Sequence, residues 1–218
     1  GRSVPKLTFR TGMVRSAIGN SPEILRYLWG RYGAEMGDAA AFLEPTPERV
    51  ALEERIDRYG VNLQVWVYYH ILDHRDVTMQ AWGVNTPQVP AWQRALLPIL
   101  YPLMAAFIRR AFRLSDAHYE KAMGRIEELL ADVEARLDDG RRTILGGDET
   151  DYVDIAFASM TALWLQPAQF AAGRIPTARI AREQYPIQMG VDVERWADQY
   201  PLVVAMVERL YREERVSG

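Results

Sequence analysis

Residues 146–165, Gly-Gly-Asp-Glu-Thr-Asp-Tyr-Val-Asp-Ile-Ala-Phe-Ala-Ser-Met-Thr-Ala-Leu-Trp-Leu, constrain the fold more than any other stretch. Two glycines and a polar run make a loop. Asp151 then stands where a helix wants its N-cap. Asp154, three residues on, stands where a second carboxylate can reach back to the cap's own backbone. Both carboxylates lie at the positive end of the helix dipole. From Val153 to Leu165 only Asp154, Ser159 and Thr161 are polar. A helix apolar on nearly every face must be enclosed by other elements, and this one is too short to cross a bilayer. The stretch therefore predicts the buried central helix of a helical domain.

The remaining elements follow in chain order. Lys6-Leu7-Thr8-Phe9 alternates polar and apolar residues, Thr11-Gly12 signals a turn, and Met13 to Ile18 forms a second strand, so the pair predicts a hairpin. Ser21 is the expected N-cap of the next helix, with Pro22 at its first position and Glu23 favouring the dipole. Gly30 and Gly33 are its expected end. Residues 35–45 read as a linker. Thr46-Pro47-Glu48-Arg49 opens a long helix reaching about Leu72, in which Gly60 is a candidate bend. Residues 73–90 read as a connection. Ala91 to Phe112 is apolar and broken by Pro98 and Pro102, predicting a kinked helix or two pieces, and its most apolar run, Leu96 to Ile108, reads as too short and too interrupted to cross a membrane. Ser115 caps a helix whose apolar stripe runs from Ala122 to Leu137, and Gly140 stops it. Residues 168–190 read as short pieces before a closing helix that ends near Glu214.

Composition narrows the function classes. The 218 residues are 49% hydrophobic and 25% charged, with net charge −3, which is ordinary for a soluble globular chain. No basic block stands out over the whole chain, so neither nucleic acid nor a membrane is an expected partner. The lack of cysteine removes disulfides, thiolate metal sites and a Cys nucleophile, and fits a cytoplasmic setting.

Leu145-Gly146-Gly147 followed by Asp151-Tyr152-Val153-Asp154-Ile155 resembles the segment that opens the central helix of the all-helical domain in glutathione transferases. There, leucine-x-glycine and a few polar residues precede Ser/Thr-x-Ala-Asp-Ile. Asp151 replaces the Ser/Thr and Val153 the Ala, and Asp caps a helix as Ser does. Val4-Pro5-Lys6-Leu7, the turn at Gly12, Asn20-Ser21, Ile24 and Tyr27-Leu28 are similar to the second half of that family's thioredoxin-like domain. Trp196 five residues before Pro201, ahead of a closing helix, is again like the family.

The resemblance implies a mainly α fold: a partial thioredoxin-like ββα segment over 1–34, the linker, and a glutathione transferase-type all-helical domain over 46–218. It implies glutathione as co-substrate, held by Val4, Pro5, Asn20 and Ser21, and a homodimer. A carboxylate at a helix N-terminus beside Ser21 is sound physics. Asn20 replaces the family's acidic residue, so a salt link to the ligand's amino group gives way to a hydrogen bond. The family's catalytic Tyr, Ser or Cys sits on a strand–helix–strand unit ahead of the proline strand. Only three residues precede Val4 here, so no catalytic residue is named.

The implied reaction is attack of glutathione thiolate on a small hydrophobic electrophile. The alternative is a transferase-like scaffold or dimerisation module without catalysis. Trp66, Tyr69 and His70 are the candidate walls of the electrophile pocket by analogy, and core packing explains the same aromatic spacing. His70-x-x-Asp73-His74 places two imidazoles one turn apart without the glutamate of the zinc-protease pattern, so no metal site is assigned.

Overall fold

A computed structural model of the protein describes residues 5–84, 86–87, 89–170 and 180–214. The order is β1 (Lys6–Thr11), β2 (Val14–Gly19), α1 (Ser21–Met36), α2 (Pro47–Ile71), α3 (Arg75–Ala81), α4 (Ala91–Ala111), α5 (Asp116–Leu137), α6 (Tyr152–Leu165), α7 (Ile187–Gln199) and α8 (Pro201–Glu213). Short 3-10 helices cover Gly37–Leu43 and Arg182–Gln184. The fold is mainly helical with one two-stranded antiparallel sheet.

The hairpin pairs Lys6 with Gly19 and Thr11 with Val14, and Gly12 takes φ +60 at the turn, where a side chain would be strained. The start of α6 is a complete capping box. The Asp151 carboxylate accepts from the Val153 and Asp154 amides at 2.9 and 3.2 Å, and the Asp154 carboxylate accepts from the Asp151 amide at 3.1 Å. Asp154 also accepts from the Ile144 amide at 2.9 Å, which pins the preceding loop. Phe157 and Trp164 of α6 are fully buried, and α6 packs against α2, α7 and α8. Arg49 ties the start of α2 to Asp151 at 2.8 Å, and Arg26 ties α1 to Glu53 of α2 at 2.6 Å. The first turn of α8 is capped from another helix: Glu134 of α5 accepts from the Leu202 and Val203 amides at 3.0 and 2.9 Å.

Several local expectations need correction. Helix α1 runs through Gly30 and Gly33 and ends at Gly37, where φ is +56. Gly33 serves packing instead of termination. A Cβ there would lie 2.8 Å from the Trp29 ring, one turn back on the same helix. The supposed linker 35–45 is therefore the last turn of α1 and a 3-10 helix. The connection 73–90 contains the seven-residue α3. Of the two readings of Ala91 to Phe112, the two-piece one is overturned: α4 is one helix through both prolines. Pro98 and Pro102 are one turn apart, so the two missing hydrogen bonds fall on the same side of a largely exposed helix, where water can serve the freed carbonyls.

Gly60 lets α2 and α6 approach closely. A Cβ at Gly60 would lie 2.9 Å from Met160 Sδ, the far part of a flexible, half-buried side chain. Gly60→Ala is expected to be near neutral in thermal denaturation, because Met160 can swing aside and alanine is the better helix former. Gly60→Leu has no such escape and should destabilise by about 1–3 kcal/mol through overpacking.

Candidate functional site

Two places hold the residues singled out from the sequence. The first is the corner where β1 and α1 begin. Lys6 pairs with Gly19, so the chain entering β1 and the chain leaving β2 meet there. The Pro5 carbonyl accepts from the Asn20 amide at 3.2 Å. Asn20, not Ser21, occupies the N-cap position of α1, and Ser21 is the first helical residue. The reason is the tight exit from β2: Asn20 takes φ +79, a conformation asparagine tolerates better than serine. In that conformation its side chain makes no capping hydrogen bond. Asn20 and Ser21 are both exposed, and among the described residues no side chain caps the first amides of α1. Pro5, Asn20 and Ser21 thus come together; Val4 lies outside the described residues.

The second place is built around a carboxylate that sequence reasoning passed over. Asp192 of α7 is 3% exposed. Its Oδ2 accepts from the Trp66 indole at 2.9 Å, from His70 Nε2 at 3.2 Å and from the Tyr119 hydroxyl at 2.8 Å. Gln188 reaches Oδ1 at 3.5 Å, and Arg195 stands 3.8 Å away while pairing with Glu127 at 2.6 Å. Trp66 and His70 are one turn apart on α2 and so share a face. Tyr69, their neighbour, lies at the rim. Its ring stacks on Tyr119 with centroids 4.2 Å apart, and its hydroxyl donates to Asp116 at 2.8 Å.

The electrostatics follow from these contacts. Burial works to raise the Asp192 carboxyl, but the hydrogen bonds from His70, Trp66 and Tyr119 outweigh it and hold it below the usual carboxylate range. Tyr119 is pushed up by burial, by its bond to Asp192 and by that residue's charge. Tyr69 is raised first by its bond to Asp116 and then by burial. An ionised carboxylate with this many donors on it is a clamp joining α2, α5 and α7, with little basicity left for proton transfer.

Of the expected pocket walls, Trp66 is fully buried, His70 is nearly so, and Tyr69 is partly exposed. The three histidine-motif residues diverge: His70 turns to Asp192, Asp73 pairs with Arg109, and His74 sits at the N-cap position of α3. Among the described residues no group of three or more His, Asp or Glu side chains is placed to hold a metal ion. A signal for Asp192 does exist in the sequence. It falls on the stripe Met189, Val193, Trp196 of α7, and an acidic residue on an apolar stripe requires buried partners. No family model, curated protein or solved structure matches the chain.

Proposed function

We propose that the protein is a glutathione transferase-like enzyme that conjugates glutathione thiolate to a small hydrophobic electrophile, acting as a cytoplasmic homodimer. What supports this is the start of α1. Among the described residues its first amides lack a side-chain cap, and they stand beside Ser21, Asn20 and the Pro5 carbonyl. That set fits the γ-glutamyl end of glutathione. The helix N-terminus and Ser21 suit its carboxylate, and the Asn20 oxygen suits its ammonium. The Val4 backbone would meet the cysteinyl part, as the family resemblance implies. Bound glutathione supplies the sulfur nucleophile. Tyr69 and His70 are the residues proposed to bound the electrophile, with Trp66 supporting them from the core through Asp192.

The non-catalytic scaffold is the second reading, favoured by one observation. The hydroxyls of Tyr69 and Tyr119 both donate to carboxylates, so neither is free to steady a thiolate. Calorimetric titration of glutathione into the full chain, paired with a chloronitroarene conjugation assay, separates the readings. The enzyme reading expects binding that weakens about tenfold in Ser21→Ala, the loss of one hydrogen bond to a charged group, together with turnover. Binding without turnover supports the scaffold. No binding to the folded chain overturns the glutathione site itself.

A further inference from the structure

Helix α4 carries an apolar face that nothing among the described residues covers. Trp92, Ile99, Leu103 and Phe107 are 64%, 74%, 71% and 69% exposed, and Leu96 and Leu100 are also exposed. At about 100° per residue these six fall within an arc of about 100°. The helix is held to the protein by its opposite side: Tyr101 and Ala105 are buried against Leu72, Met79 and Val84, and the Tyr101 hydroxyl donates to the Leu72 carbonyl at 2.7 Å. By length and composition α4 could cross a membrane. That buried side, and the return of the chain into α5 and the core, fix it along the surface of the bundle instead.

Its charge is of one sign. Residues 91–114 contain Arg94, Arg109, Arg110 and Arg113 and no Asp or Glu, in a chain whose net charge is −3. Arg109 pairs with Asp73. Arg110 and Arg113 are exposed, have no ion pair among the described residues, and border one hollow with Phe107 and Ala111.

We propose that α4 docks the protein flat on an anionic lipid bilayer, with the stripe from Trp92 to Phe107 in the acyl boundary and Arg110 and Arg113 at lipid phosphates. An apolar stripe with tryptophan at one end and only arginines for charge is what such a surface selects. A second copy of α4 would bring arginines and no carboxylate to meet them. This surface is independent of the glutathione site, and glutathione binding is not needed to test it.

The experiment is flotation of the full chain with vesicles of phosphatidylcholine alone and of phosphatidylcholine mixed with phosphatidylglycerol. Circular dichroism on every variant confirms the fold. Binding to the mixed vesicles only is expected, and it should weaken with added salt. Leu103→Glu with Phe107→Glu should lower vesicle affinity by more than about tenfold. Arg110→Ala and Arg113→Ala should each lower it about fivefold. No flotation with either vesicle, or equal flotation with both, overturns the proposal. So does a dimer in sedimentation velocity that Leu103→Glu converts to monomer while vesicles leave the wild type unbound, since the stripe would then be covered by a second copy.

Discussion

Asp192→Ala is expected to cost about 3–5 kcal/mol of folding stability, the loss that follows when one partner of a buried charged network is removed. The Trp66 indole, His70 and the Tyr119 hydroxyl would all lose their common acceptor inside the protein. For a chain of this size that corresponds to a fall in melting temperature of roughly 10 °C, readable by calorimetry. Asp192→Asn keeps one oxygen that can turn toward the donors and should recover part of the loss. The pH trend has a definite sign. The folded-state carboxyl lies below its ordinary 3.8, so its contribution is present above about pH 4 and fades as pH falls through the folded value. The gap between wild type and Asp192→Ala should therefore narrow in acid. A gap of under about 1 kcal/mol at neutral pH would mean that the three donors find water instead.

The second large effect is expected at Asp154. Asp154→Ala removes the acceptor of two buried amides, those of Ile144 and Asp151, and breaks the capping box of α6. Each buried amide left without a partner costs about 1–3 kcal/mol. Part of this is offset because an ionised carboxylate no longer has to be buried there. A net loss of about 2–4 kcal/mol is expected by denaturant titration. Here the pH trend runs the other way. Burial first, with the neighbouring Asp151 charge, pushes the Asp154 carboxyl up to about 6 from 3.8. The folded state holds the extra proton between those values, so this contribution is fullest below about pH 4 and is lost as pH rises through about 6. The wild-type advantage over Asp154→Ala should shrink over that window. A widening advantage would place the ionised form as the better-accommodated one.

The contrast between these residues shows what could be read without coordinates. Asp151 and Asp154 are three residues apart and bond to each other's amides, so their roles follow from local geometry that sequence spacing encodes. The hairpin at Gly12, the Thr46 cap of α2 and the stripe of α5 are legible for the same reason. Asp192 meets partners 73, 122 and 126 residues away. Only the packing of α2, α5 and α7 brings them together, and residues beyond 190 in α7 carry no element of their own in the sequence reading. Gly33 misled because a glycine can end a helix or make room for a ring, and the Trp29 contact decides which. Pro98 and Pro102 left one helix or two pieces open, and the single helix holds because one with a solvent-facing side survives losses that a buried helix would not. At the candidate glutathione corner, the meeting of Pro5 with Asn20 follows from the hairpin register. The positive φ of Asn20, which leaves α1 without a side-chain cap, does not.

The indoles of this protein fall into separate optical classes. Trp66, Trp164 and Trp196 have no solvent exposure, with Trp196 centred 5.0 Å from Trp66 and 5.5 Å from Trp164. Rings so close couple their transitions, and the three sit on α2, α6 and α7. Their near-ultraviolet dichroism is therefore a built-in gauge of whether the three helices are assembled. Trp92 stands alone on α4 in water, where dissolved quenchers reach it and a nonpolar medium would shift its emission to the blue. Core integrity can thus be followed by dichroism, and the surroundings of α4 by Trp92 emission once the half-buried Trp29 and Trp82 are replaced by phenylalanine.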